Sequence, residues 1–422
     1  MSVATETNLA PWAQSLPVGW EARRLGVLAD IRFSNVDKLT EPGEIPVRLC
    51  NYTDVYKNPR VTASIDFMRA TAVPREIERF QVRKGDVIAT KDSESPYDIA
   101  VSALIAEEMP GVLCGYHLAM IRADCAKLDG GFLGWVQASK QIRSQYEAQA
   151  TGVTRFALSQ SAFKEALIPV PPLDEQRRIA AWLDEKTAKI DRLIALRRKQ
   201  ILLVSDKAKD IARRLLLSGT DDAVCQKAAN LRWVESIPEN WECKRFKFIV
   251  RGTNAGEVID RSYWDSGDEN LYTCQREILK SNYAGFPSWK RTGPSDILVT
   301  RNGTPYVHLP VVGSMYSNVV QRCEIKGDHH VPYIAEILGL SASIVVAEEG
   351  YGVSIASFSF EKWANAMILL PPKDQQIEIM RRVEDCRARH DRVIEMLGRQ
   401  IDSLLQFRTS LIHEAVTGQV IP

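Results

Sequence analysis

Two segments lying two hundred residues apart constrain this chain more than anything else in it. PPLDEQRRIAAWLDEKTAKIDRLIALRRKQI begins at Pro171 and PPKDQQIEIMRRVEDCRARHDRVIEMLGRQI at Pro371, and they align without a gap. Over residues 152–201 and their counterparts at an offset of 200 there are 16 identities in 50 positions. Two earlier landmarks also recur. SLPVGWEARRL from Ser15 matches SIPENWECKRF from Ser236 through Pro17, Trp20, Glu21 and Arg24, which pair with Pro238, Trp241, Glu242 and Arg245. GDVIATKDS from Gly85 matches SDILVTRNG from Ser295 through Asp86 and Thr90, which pair with Asp296 and Thr300. Self-similarity on this scale means that a whole structural unit is repeated. The offset falls from 221 to 210 to 200 along the chain, so the copies keep a common frame in their helical parts and differ in their middles.

Each copy reads as a globular front followed by a helical back. Short apolar runs, DVIAT, VSALIA, DILVT and LPVVGSM, punctuated by Gly, Pro and Asn, predict strands of a mixed α/β front. Residues 131–150 and 331–348 predict helices by length and period. After each proline pair a new helix is expected, because Pro suits a helix start and Asp174 or Asp374 favours the first turn. In the first helix Ile194, Ile201, Ala208 and Leu215 form one seven-residue row; Ile190, Val204 and Ile211 form a second, broken by Arg197. In the second helix Ile394, Ile401 and Ala415 form a row broken by Arg408, beside Leu397, Leu404 and Leu411. Paired rows of this kind make a coiled-coil seam. Each helix has room for about 40 residues, on the order of 60 Å. So long an apolar stripe needs cover, and the nearest partner is the other copy. The short connection from Ser218 to Trp233 favours antiparallel pairing.

The expected fold is therefore two α/β (α+β) fronts joined by a long antiparallel two-helix coiled coil, a pseudo-two-fold tandem repeat. Its expected boundaries are residues 1–170 and 219–370 for the fronts, and 171–218 and 371–422 for the spacer helices. A chain of 422 residues has the length for such a multi-domain plan. Its 54 basic and 53 acidic side chains nearly cancel, so any nucleic-acid surface must be local. The eight cysteines contain no C-x-x-C pair and read as reduced thiols of a cytoplasmic protein. No apolar run is long enough for a membrane span.

The proline pair followed by D-x-Q (PVPPLDEQRRI, LLPPKDQQIEI), the KIDRLI and RHDRVI segments, the SGT and TGQV endings, the P-x-x-W openings and the GDVIATKDS and SDILVTRNG strands, in this repeated order, resemble the specificity subunit of type I restriction-modification systems. The likeness runs over nearly the whole chain. It implies two target recognition domains, each reading one half of a bipartite site on double-stranded DNA. The helices would set the spacing and dock two modification (methyltransferase) subunits, and restriction (translocase/nuclease) subunits would complete the complex. On this reading the chain is non-catalytic by itself, a part of a restriction endonuclease and adenine-specific DNA methyltransferase. S-adenosylmethionine, ATP and Mg belong to the partner subunits, with no cofactor or metal on this chain. One departure is that Gln375 and Arg381-Arg382 stand where the first copy has Glu175 and Ala181-Trp182, so the two docking sites need not be equivalent.

The candidate DNA-contacting residues are Lys91, Ser93 and Tyr97 in the loop after one strand, and Arg301, Asn302, Thr304 and Tyr306 in its counterpart. They are polar, aromatic and basic groups able to meet phosphates and base edges. Thr154 and Arg155 in GVTRF are further candidates, as is Ser354 in GVSIA. Gln176, Trp182, Gln376 and Arg382 are the candidates for docking partner subunits. Acids interleave the basic run of the first helix, so it reads as a solvated face. His329-His330 lacks a third ligand at metal spacing. There is no phosphate-binding loop, nucleophile elbow or N-P-P-Y segment, KNPRV at Lys57 failing at its third position. Two rivals remain: a non-catalytic coiled-coil scaffold whose globular domains bind protein or glycan, and a stand-alone nuclease.

Overall fold

The computed structural model describes residues 11–220, 225–231, 233–302, 304–349 and 360–420. They fall into two compact units, one built from the chain up to Arg198 together with Gly398 onward, the other from Lys199–Leu397. The two long helices contribute a part to each.

In the first unit the central sheet orders its strands Ala29–Phe33, Leu118–Ala123, Val87–Thr90, Ser102–Ile105 and Arg60–Val61, antiparallel except for the last pair. Val87–Thr90 is buried throughout, which is why the sequence there is a continuous apolar run rather than an alternating one. A smaller sheet, Met68–Ala72, Ile45–Cys50 and Val112–Cys114, packs with the central one over a core containing Leu49, Phe67, Phe80, Ile88 and Met120. Residues 131–150 form two helices, Gly130–Ala138 and Lys140–Glu147, instead of the single helix expected. Ser139 takes extended dihedral angles, φ −69° and ψ 121°, and ends the first of them.

The front is closed by pairing its opening strand Glu21–Arg24 with Leu167–Val170, immediately before the long helix Leu173–Ser218. The motif D-x-Q now has a structural reason. Gln176 is completely buried, its Oε1 accepting from the Asp129 amide at 2.8 Å and its Nε2 donating to the carbonyls of Pro171 at 2.9 Å and Lys127 at 3.0 Å. It fastens the first turn of the helix to the front that precedes it.

The end of the other long helix, Lys373–Val416, completes this unit. Ile190 and Ile194 of the first helix are buried, as are Ile401, Leu411, Ile412, Ala415 and Val416 of the second. Arg408, which breaks the apolar row, donates to Asp191 of the facing helix at 2.9 Å and lies over the Trp135 ring of the front at 6.0 Å. The Trp135 indole N–H in turn donates to Asp184 at 2.8 Å. The interruption of the heptad is thus the place where helix pair and front meet.

The second unit repeats the plan. Its sheet is Val250–Ala255, Val320–Ile325, Asp296–Thr300 and Val307–His308, all antiparallel. The smaller sheet, Leu279–Ser281, Trp264–Tyr272 and Met315–Tyr316, reproduces the antiparallel-then-parallel pairing of its counterpart. LPVVGSM is a strand only at its last residue, Met315; residues 309–314 are not. Val311 and Val312 are exposed, and the backbone is tied to Thr292 through Gly313 N–H to its carbonyl at 2.7 Å and its hydroxyl to the Val311 carbonyl at 2.7 Å. Residues 331–348 lie within one helix, Val331–Glu349. Glu242–Arg245 pairs with Met367–Leu370 ahead of the helix, and buried Gln376 accepts from the His330 amide and donates to the Pro371 carbonyl, both at 2.8 Å.

Here the tail of the first long helix supplies the cover. It stops at Gly219, whose φ of +81° is the left-handed conformation usual just past a helix end, and whose amide closes on the Leu215 carbonyl at 3.0 Å. A Cβ on Gly219 would lie 3.1 Å from the ring of Trp241. In the first unit Gly418 stands in the same relation to Pro17 and Trp20. The repeated SGT and TGQV endings and P-x-x-W openings are the two sides of one recurring contact. Since the first half of one helix meets the second half of the other within each unit, the helices pair antiparallel.

Candidate nucleic-acid interface

The first front carries a small exposed sheet of its own. Thr151–Gly152 and Phe156–Ala157 form a hairpin whose second strand pairs with Asp92–Ser93. Gly152 is required at its turn: at φ +149° a Cβ would sit 2.0 Å from the Arg155 carbonyl oxygen. Val153 at the tip is 92% exposed, and Thr154 and Arg155 follow it, both exposed. Beside the hairpin lies a cleft of about 480 Å³ lined by Tyr52, Tyr56, Asp92, Asp98, His117 and Arg155 among others. Tyr52 and Tyr56 stack with ring centroids 5.6 Å apart. Asp98 hydrogen-bonds the Tyr56 hydroxyl, which raises the pKa of that phenol.

The sequence candidates separate into outward and inward groups. Tyr97, Thr154 and Arg155 are exposed around this cleft and hairpin. Lys91 and Ser93 face inward: the Lys91 ammonium turns to the Ser34 carbonyl at 3.0 Å and over the Phe33 ring, and burial lowers its pKa. Ser93 is buried, its hydroxyl accepting from the Ser95 amide at 3.3 Å. A strand that runs into a loop alternates its side chains, so a run of polar letters does not all face out.

In the second front Arg301 and Asn302 are half-buried and Thr304 is exposed. The Arg301 amide donates to the Val319 carbonyl at 2.8 Å, and the Tyr306 amide to the Thr300 hydroxyl at 2.9 Å. Tyr306 packs edge-on against His308 and lies beneath the Arg276 guanidinium, 5.3 Å from its ring. Tyr306, His308 and Arg276 border a larger cleft of about 750 Å³, to which Lys209 and Arg213 of the first long helix and Arg387 of the second also contribute. Arg387 is paired with Glu336 at 2.7 and 2.9 Å. The GVSIA segment containing Ser354 lies outside the described residues.

Of the docking candidates, Gln176 and Gln376 are corrected by their burial: each is consumed inside its own unit and has no surface to offer a partner. Trp182 is half-exposed beneath the Lys186 ammonium, and Arg382 is exposed, donating to Glu378 and to the Thr220 carbonyl. The sequence reading missed Asp92, His117, the Tyr52–Tyr56 pair and Arg276. All are brought to the candidate residues by strand pairing or by long loops. The only local signal was the position of Asp92 between two residues already singled out.

Among the described residues no helix is long and apolar enough to cross a membrane, and no cluster of His, Cys, Asp and Glu could hold a metal ion. Residues 17–202 match the type I restriction modification DNA specificity domain. A Methanocaldococcus jannaschii protein provisionally described as the type I restriction enzyme MjaX specificity subunit is 24% identical over 96% of this chain and 94% of its own. The EcoBI specificity subunit of Escherichia coli is 24% identical over 66% of this chain and 63% of its own. Two solved chains share the fold. One, from work on complex assembly and conformational transition of the type I R-M system, has a TM-score of 0.69 at 17% identity, covering 96% of this chain and 100% of its own. The other, the HsdS subunit of Thermoanaerobacter tengcongensis, has a TM-score of 0.53 at 16% identity, covering 96% and 98%.

Proposed function

We propose, for a chain that belongs with the specificity subunits of type I restriction-modification systems, that its two fronts are target recognition domains reading the two halves of a bipartite sequence on double-stranded DNA. The observation that carries the reading is the duplication itself: one frame, presented twice, with unlike reading loops. Duplex DNA has local two-fold symmetry, so a pseudo-symmetric reader with two dissimilar heads suits an asymmetric site interrupted by unread bases. The paired helices set the length of that interruption. In the first domain the exposed hairpin and the Tyr97 loop meet the groove; in the second, Arg301, Thr304 and Tyr306, in the loop after the matching strand Asp296–Thr300, do so.

The chain does no catalysis of its own. Two methyltransferase subunits dock on the helices, and restriction subunits join them; S-adenosylmethionine, ATP and Mg are used by those partners, in the cytoplasm. Apolar side chains left exposed along the helices suit such docking, Leu196 and Phe407 in the first unit and Leu202 and Leu203 in the second. Trp182 and Arg382 stand on the same helices at positions where the copies differ, so the two docking sites are chemically unequal.

The test is selection from random duplex DNA by the chain assembled with its modification subunits. A bipartite motif with a fixed gap is expected, and exchanging residues 20–150 for another such front is expected to change one half of it only. Enrichment of no motif would favour the scaffold reading, and metal-dependent cutting by the chain alone would favour the nuclease.

A further inference from the structure

We propose that Arg155 reads a guanine in the first half-site and that Asp92, together with His117, positions it; this rests on the DNA-reading function inferred above. Three observations converge on the pair. Arg155 projects from a hairpin whose tip is the most exposed part of the first reading surface, and its own side chain is 57% exposed. Asp92, only 13% exposed, accepts from Arg155 Nη2 through Oδ1 at 2.5 Å. The other oxygen of Asp92 is held by His117 Nδ1 at 2.8 Å, and that same nitrogen stands 3.3 Å from Arg155 Nη2. The carboxylate is thereby fixed from behind before it fixes the arginine.

The consequence for recognition follows from donor counting. A guanidinium carries five N–H donors in a rigid plane, and Asp92 engages it through Nη2 alone. Nη1 and Nε have no partner among the described residues. With His117 Nδ1–H donating to Asp92, that nitrogen does not also accept from Arg155, so the second Nη2 hydrogen stays free to form a planar fork with Nη1–H or Nε–H, which matches the O6 and N7 acceptors that guanine presents in the major groove.

Bracing also separates this reading from phosphate binding. An arginine held against a carboxylate surrenders much of its net charge and most of its rotamer freedom. That weakens a long-range anchor for phosphates but sharpens a directional base contact. At the matching position of the second front Asn302 stands where Asp92 stands in the first, so the sequence places no carboxylate there. The device therefore belongs to one half-site.

Base preferences from random-duplex selection, with the whole chain in its methyltransferase complex, test the proposal. Arg155→Lys keeps the charge and loses the fork. It is expected to lower the guanine preference at one position of the first half by about tenfold or more, leaving the second half as an internal control for folding and assembly. Asp92→Asn is expected to weaken the same single position by a smaller factor, with unchanged thermal melting. If Arg155→Lys and Arg155→Ala reduce affinity for all sequences alike while every base preference survives, Arg155 is a phosphate contact and the proposal fails alone. A wild-type first half that shows no guanine dependence also overturns it. A wild-type complex that selects no motif at all sinks the DNA-reading function and this inference with it.

Discussion

The same buried carboxylate is satisfied in two different ways in the two fronts. Asp86 receives both Nε and Nη2 of Arg122, at 2.8 and 2.7 Å, and the Arg83 amide at 2.8 Å. Asp296, its counterpart, receives the Gly293 amide at 2.6 Å, but Arg322 stays 3.7 Å away. That arginine spends Nη1 on the carbonyls of Lys290 and Arg291 instead. Burial accordingly raises the pKa of Asp296, with only partial relief from the arginine. The second front also buries His308, whose Nε2 has no partner among the described residues, and the unpartnered hydroxyl of Tyr316. Two copies of one frame have come to differ in how this buried carboxylate is paired. Having an arginine on the neighbouring strand is not enough; its geometry decides the energy.

The largest effect that this contrast predicts is on removal of the carboxylates. Asp86→Ala leaves Arg122 partly buried and uncompensated and is expected to cost about 3–5 kcal/mol. Asp296→Ala orphans chiefly one amide, for about 1–2 kcal/mol. Denaturant unfolding of both variants checks this, and equal losses would break the contrast.

The next effect is on pH dependence. Desolvation lowers the pKa of His308 from 6.5 to about 4, so the unfolded chain binds the proton first. Its contribution is complete above pH 6.5 and is lost as pH falls toward about 4, by up to about 3 kcal/mol. Asp296 has the opposite sign: its raised pKa contributes fully below the ordinary value of 3.8 and is lost as pH rises through its folded value. Stability of His308→Gln measured from pH 7 to pH 4 should therefore fall less than that of the wild type. Parallel curves would remove the second front's acid weakness from the account.

The smallest effect concerns the shared helix ends. Gly219→Ala strains a left-handed residue and crowds Trp241 at 3.1 Å, for a loss of about 1–2 kcal/mol. Gly418→Ala is expected to lose more, since its Cβ would come within 2.3 Å of Pro17. Thermal melting that ranks them in reverse would show that the two contacts are not the same joint.

Much of this was legible without coordinates. The repeat, the long helices and their seam follow from residue spacing, because a helix places every third and fourth residue on one face whatever surrounds it. The strands DVIAT and DILVT were legible for a similar local reason. LPVVGSM was misread because apolar letters satisfy a strand pattern even where the backbone is tied elsewhere, here to Thr292. Gln176 and Gln376 were recognised as important but given the wrong task. A motif marks a position without saying which way its side chain faces.

By itself the sequence determined that the chain is a doubled unit with a coiled-coil back and two unlike fronts, since periodicity and repetition are properties of order along the chain. Only the tertiary structure decided which glutamines lock the helices, why Arg408 interrupts a heptad, and that Asp92, His117 and Arg155 meet. Those contacts join residues tens to hundreds of positions apart, and hydrogen bonds depend on distance and direction in space, which separation along a chain does not encode.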